Sequence, residues 1–154
     1  MAYKFGMYGQ AVIKAVEYYK ELIRISKMTP KKALLDSWEK AIKECTDSKT
    51  NQDKGCPKCA FLGLCEEGYV NGIPKPSIGF PYTTSVKNKA YAIEAAKILL
   101  NSRSQPDCKY DEIWKKVREI VLKQFETVPI KQQGAMNVVF ALKAKGMLNW
   151  PKDM

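Results

Sequence analysis

The stretch that decides the fold is YGQAVIKAVEYYKELIRIS, residues 8–26. Its apolar side chains recur at steps of three and four residues, which places them along one side of a helix. This apolar stripe consists of Val12, Val16, Tyr19 and Ile23. We therefore predict an amphipathic α-helix that packs the stripe against a core.

Five more helices are predicted from similar patterns and from their start and stop signals. Thr29 can accept a hydrogen bond from a backbone N–H of the second helix, and Pro30 suits its first turn because the missing N–H would be unpaired there. The later helices are predicted over residues 30–45, 57–67, 86–100, 110–125 and 133–145. No segment alternates convincingly between apolar and polar residues, so no strand is predicted.

An irregular connection separates the third predicted helix from the fourth. Gly and Pro occupy five of the 14 positions in residues 71–84, which is too many helix breakers for a helix. We define the linker as residues 74–84. At 154 residues the chain has the usual size of a single domain with a core of its own, so residues 1–154 are expected to form one domain.

The two sides of this linker are weakly similar in sequence. AVEYYKEL at residues 15–22 and AIEAAKIL at residues 92–99 are identical at four of eight positions. Two further matches follow in the same order, Trp38 with Trp114, and a helix end, Leu64 and Gly68 with Leu142 and Gly146. Three ordered matches favour an internal duplication over the chance similarity of any two helices.

The predicted fold class is therefore mainly α. About six helices form a compact bundle from two tandem three-helix pseudo-repeats, residues 8–73 and 85–151. A three-helix unit of this size is too small to be stable alone, so each is expected to bury its remaining apolar face against the other.

Composition excludes several kinds of chemistry and favours binding. The chain has no histidine, which removes Ser-His and Cys-His nucleophile pairs and every metal site that contains histidine. The net charge of +10 attracts polyanions. We predict a non-enzymatic binding module with a basic surface for a nucleic acid or an acidic protein, with no cofactor. Dispersed Lys, Tyr, Asp and Glu leave an enzyme possible.

The expected location is the cytoplasm. No apolar run approaches the roughly 18 to 20 residues that span a bilayer, so no membrane association is expected. The N-terminal residues also lack the apolar core of a signal peptide. The five cysteines are an odd number, which favours reduced thiols over a disulfide framework.

The linker and the start of the fourth helix supply the candidate binding residues. Aromatic and basic side chains alternate there, and bases can stack on the aromatics while lysines pair with phosphates. The candidates are Lys75, Phe80, Tyr82, Lys87, Asn88 and Lys89. A solvated loop whose aromatics pack on the core has the same pattern. The helix end at residues 64–70 also resembles the one that precedes the wing of winged-helix DNA-binding domains, although a glycine-capped amphipathic helix explains it equally.

The alternative function is a cysteine-ligated metal or redox protein. Cys45, Cys56, Cys59 and Cys65 could hold zinc or an iron–sulfur cluster, because the Cys-x-x-Cys spacing lets two thiolates converge. On a helix, however, Cys59 and Cys65 face different directions. The competing interpretations are buried cysteines that pack as small apolar groups and a reactive Cys56–Cys59 pair.

Two segments resemble a known family. They are GCPKCAFLGLCEEG at residues 55–68 and YTTSVKNKAYA at residues 82–92. The chain is similar here to a bacterial family of proteins of about this size, a domain of unknown function. The resemblance implies a bacterial, cytosolic, stand-alone domain and supplies no activity, so no functional residue is carried over from it.

Overall fold

The protein is described by a computed structural model over residues 5–101 and 109–152. Within these ranges it is mainly helical, which confirms the predicted class. Six helices have ten residues or more and one is a single turn. They are α1 (Gly6–Ile25), α2 (Pro30–Cys45), α3 (Lys49–Gln52), α4 (Gly55–Glu66), α5 (Val86–Asn101), α6 (Tyr110–Val121) and α7 (Ala135–Ala144). No helix of the described residues combines the length and apolar character needed to cross a bilayer.

The first two helices form as predicted, apart from the last turn of α1. Val12, Val16 and Tyr19 are buried, and Thr29 Oγ1 accepts a hydrogen bond from the Lys32 N–H at 3.3 Å. The prediction that Ile23 faces the core is wrong, because this residue is 38% exposed. The end of α1 extends beyond the core, so most of its last residues face solvent.

Three predicted boundaries shift. The loop predicted between the second and third helices contains α3, and α4 begins at Gly55 instead of residue 57. The helix predicted to reach residue 125 ends at Val121, because the chain tightens there into turns in which the Lys123 N–H donates to the Ile120 carbonyl. The last helix begins two residues late, after Gly134 with its left-handed φ of 93°.

Helix α7 forms the middle of the core and packs against α1, α4, α5 and α6. Residues 138–142 of this helix are all fully buried. A helix that is apolar on every side is stable in water only when other helices cover it. The arrangement therefore places α7 at the centre of the bundle.

Helices α4 and α7 lie side by side and point the same way. Their starts touch, since the Cys56 thiol donates to Gln133 Oε1 at 3.7 Å. Their ends are joined by backbone hydrogen bonds, from the Asn71 N–H to the Met147 carbonyl at 3.0 Å and from the Asn149 N–H to the Tyr69 carbonyl at 2.9 Å. These bonds form an isolated antiparallel bridge and no strand in the described residues.

The two helix ends also share one local geometry. Gly68 and Gly146 both have a left-handed backbone, with φ values of 84° and 69°. In each case the next N–H reaches back to the carbonyl five residues earlier, from Tyr69 to Leu64 and from Met147 to Leu142, both at 2.9 Å. These two ends are the pair matched by sequence. Glycine-capped ends of this kind occur in many unrelated helices, so the internal duplication stays a prediction.

We expect Gly63→Ala to destabilise the fold, because Gly63 lets α5 approach α4 closely. A Cβ at this position would lie 2.8 Å from the Lys89 Cα, which is backbone and cannot move aside alone. The free energy of unfolding should fall by about 1 to 3 kcal/mol in urea titrations. Gly55→Ala is the matched control, since its Cβ meets nothing within 4 Å. Equal stability of the two variants would contradict the proposed close approach.

Candidate functional site

A cleft of about 870 Å³ opens between α6 and the segment that leads into α7. We call it the basic cleft. Four cationic side chains and a single carboxylate line it among the described residues. The charged residues are Lys54, Lys115, Arg118, Lys131 and Asp111. The cations come from three separate segments of the chain, since Lys54 precedes α4, Lys115 and Arg118 lie on α6, and Lys131 precedes α7.

Side chains of α6 hold the segment before α7 in place. The indole N–H of Trp114 donates to the Ile130 carbonyl at 2.8 Å. The Arg118 guanidinium donates through Nε to the Pro129 carbonyl at 2.9 Å and through Nη2 to the Val128 carbonyl at 3.3 Å. Donation to neutral carbonyls leaves the positive charge of Arg118 in the cleft. These bonds bring Lys131 to the same cleft as the cations of α6.

The inner wall of the basic cleft is built on two residues with left-handed backbones. Gln133 has a φ of 55° and Gly134 a φ of 93°. A positive φ is unusual for glutamine and stores strain that the surrounding structure must hold. The Tyr8 ring closes the space behind Gly134, where a Cβ would lie 2.9 Å from Tyr8 Cδ2. The ammonium of Lys54 lies 5.9 Å from the centre of the same ring.

The six binding candidates predicted from sequence fall into two separate groups. Lys75, Phe80 and Tyr82 line one small cavity beside the start of α2. Tyr82 is buried there and its hydroxyl donates to the Pro74 carbonyl at 2.6 Å, so its ring has no open face for a stacked base. The exposed side chain in this group that could stack is Phe80, at 66% exposure.

The other three candidates are engaged in contacts at the start of α5. The Asn88 amide donates to Ser85 Oγ at 3.0 Å, and the Lys87 ammonium lies 5.7 Å from the Phe125 ring centre. Lys89 forms ion pairs with Glu66, at 2.6 Å, and with Glu67. Burial lowers the pKa of Lys89, but hydrogen bonds to these two carboxylates outweigh it, so the pKa is raised overall. Lys89 is thus engaged within the protein.

Comparison with protein families places the whole bundle in one of them. A family model described as a family of unknown function (DUF6979) matches residues 5–149. The chain belongs to this family. No curated protein and no solved structure matches it. The resemblance to an uncharacterised family is thereby confirmed, while the bacterial origin stays an expectation.

Sequence reasoning missed the basic cleft of this DUF6979 protein entirely. Its cations lie at positions 54, 115, 118 and 131, with no local spacing that marks them as a group. The net charge of +10 was the one sequence feature that bears on it. Which lysines converge depends on how α6 folds back onto the segment before α7.

The four described cysteines of the DUF6979 chain do not assemble a metal site. Cys65 is fully buried, and this burial raises the pKa of its thiol well above the usual value. Cys56 points to Gln133, and Cys45 is partly buried, which raises its pKa as well. Within the described ranges no three Cys, Asp or Glu side chains lie close enough to hold a metal ion. The zinc or iron–sulfur alternative stays a prediction.

Cysteine alkylation tests this arrangement. In the native protein we expect iodoacetamide to modify Cys56 and Cys59 first, and Cys65 at least about tenfold more slowly, because a buried thiol is protected from reagent and from ionisation. Peptide mass spectrometry measures each rate, and the urea-unfolded chain is the control in which the rates should converge. If a chelator made Cys56, Cys59 and Cys65 react with iodoacetamide together, the result would instead show a metal site.

Proposed function

We propose that the protein is a non-enzymatic helical binding module that holds the phosphate backbone of a nucleic acid in the basic cleft. The observation that carries the proposal is the convergence of four cations from three chain segments on one cleft with a single carboxylate. Lysine and arginine contacts to phosphates supply most of the affinity in sequence-independent nucleic-acid binding.

The state of the three lysines of the cleft supports this use. Elsewhere in the described chain lysines pair with carboxylates one helical turn away, as in Lys32 with Asp36 and Lys43 with Glu39. No ion pair within residues 5–101 and 109–152 involves Lys54, Lys115 or Lys131. Phosphates entering the cleft would therefore displace water and counterions instead of protein carboxylates.

The surface of the cleft favours a nucleic acid over an acidic protein. Protein interfaces draw most of their affinity from apolar and aromatic side chains buried at their centre. In the basic cleft Trp114 is already buried, at 3% exposure, and Ile130 is the exposed large apolar side chain. A cleft that carries positive charge and little exposed apolar surface suits the phosphate backbone of a nucleic acid.

The proposal includes a cytoplasmic setting. Cys45, Cys56, Cys59 and Cys65 are free thiols, and free thiols are typical of reducing compartments, where nucleic acids are also found. 

Salt dependence of nucleic-acid binding tests the proposal. Contacts to three or four phosphates should give a slope of log affinity against log salt of about −2 to −4, measured by fluorescence anisotropy with labelled mixed-sequence oligonucleotides, single-stranded and duplex. The double variant Lys115→Gln, Lys131→Gln should lose about 1.4 to 1.8 of that slope and bind at least about tenfold more weakly at about 0.1 M salt.

The double variant Lys27→Gln, Lys145→Gln is the matched control for net charge. Lys27 follows the far end of α1, and Lys145 caps the end of α7 opposite Gly134. It should bind almost as the unmodified protein does. An equal loss in both double variants would mean that only the overall charge attracts the ligand. No binding at about 50 mM salt would overturn the proposal, and binding of polyglutamate alone would indicate an acidic protein partner instead.

A further inference from the structure

Two free thiols lie three residues apart at the start of α4. Cys56 and Cys59 are both half-buried, so part of each side chain is open to reagents. Cys65 is fully buried further along the same helix, and Cys45 lies on a different helix, at the end of α2. Cys56 and Cys59 are therefore accessible neighbours on one helix. We call them the α4 dithiol.

The geometry of a helix brings the α4 dithiol close to the spacing of a disulfide. Three residues advance a helix by about 4.5 Å along its axis and about 300° around it, which at a radius of about 2.3 Å puts the two Cα atoms about 5 Å apart. Disulfides join Cα atoms about 4.4 to 6.8 Å apart. The Cβ atoms, about 5 to 6 Å apart on a regular helix, must approach by about 1 to 2 Å.

The start of α4 can bend enough for this approach. The first N–H groups of a helix have no acceptor inside it, so moving them breaks no helical hydrogen bond. Lys54 at the N-cap makes no side-chain hydrogen bond to them, and Pro57 between the two cysteines has no N–H at all. A Cβ on Gly55 would meet nothing within 4 Å, so the helix begins in open space.

The α4 dithiol also touches the wall of the basic cleft. The Cys56 thiol donates a hydrogen bond to Gln133 Oε1 at 3.7 Å. Gln133 lines the cleft and has the left-handed φ of 55° that its surroundings must hold. A disulfide sulfur carries no hydrogen and cannot donate this bond. The contact between Cys56 and Gln133 therefore depends on the oxidation state of the cysteine.

We propose that Cys56 and Cys59 form a reversible dithiol–disulfide couple that reacts with small disulfides of the glutathione type. Oxidation joins the two sulfur atoms and releases the Gln133 side chain from Cys56. The proposal assigns a covalent modification to the α4 dithiol and does not rest on nucleic-acid binding.

The reaction proceeds by two thiol–disulfide exchanges. One cysteine thiolate attacks a sulfur of oxidised glutathione, so a mixed disulfide forms and one glutathione thiolate leaves. The second cysteine thiolate attacks the protein sulfur of the mixed disulfide, forms the Cys56–Cys59 bond and releases the other glutathione. The two cysteines lose two electrons, oxidised glutathione gains them, and the two thiol protons end on the two reduced glutathione molecules.

Treatment of the reduced full chain with about 1 mM oxidised glutathione tests the couple. Cys56 and Cys59 should lose their reactivity with iodoacetamide together, peptide mass spectrometry should find them joined without bound glutathione, and dithiothreitol should restore both. The variants Cys56→Ser and Cys59→Ser should each stop at a mixed disulfide on the remaining cysteine, because the second thiolate is missing. Cys45→Ser is the matched control and should leave the oxidation unchanged.

The side-chain amide signal of Gln133 in NMR spectra tests the link to the cleft. Oxidation should shift this signal, and Cys56→Ala should shift it in the reduced protein, since both remove the donor. Cys56→Ser keeps a hydroxyl donor and should change the signal less. Cys59→Ala is the control that should leave it in place.

Three outcomes would overturn the couple. They are an absence of oxidation, stable glutathione adducts on both cysteines of the unmodified protein, and a disulfide that joins either cysteine to Cys45 instead. A Gln133 signal that stays unchanged on oxidation would overturn the link to the basic cleft.

Discussion

The burial of α7 on every side is the constraint on which the rest of the structure depends. Four helices cover it. For these helices to reach α7, the chain must turn sharply where it enters this helix and where it leaves it. Gly134 and Gly146 supply the left-handed backbone at these ends. At the start of α7 the Tyr8 ring and Pro57 crowd against Gly134, so three helices converge there. The basic cleft is the space that this convergence leaves beside α6.

A partly buried ion pair fixes the other side of the bundle. The Glu66 side chain is 11% exposed and accepts hydrogen bonds from the Tyr82 and Thr83 N–H groups as well as from Lys89. Because desolvation offsets much of the attraction within such a pair, its main effect is to fix position. It ties the end of the linker, at Tyr82 and Thr83, to the last residue of α4.

Local signals in the sequence predicted local structure well. Thr29 caps α2, and glycines 68 and 146 end α4 and α7, since each depends on backbone chemistry within a few residues. The candidate site was harder, because burial is not a local property. The aromatic and basic residues of the linker have the same spacing whether Tyr82 faces solvent or the core. Lys54 and Lys131 share a cleft only because the starts of α4 and α7 touch, and no single window of sequence contains both.

The basic cleft lies at one end of the α4–α7 pair. It includes Lys54 at the start of α4 and Gly134 at the start of α7, whereas the ion pair of Glu66 with Lys89 lies at the end of α4. The 12 residues of α4 span about 18 Å, which exceeds the Debye length of about 8 to 10 Å at physiological salt. The carboxylate of Glu66 is therefore too distant to weaken the attraction of phosphates to the cleft.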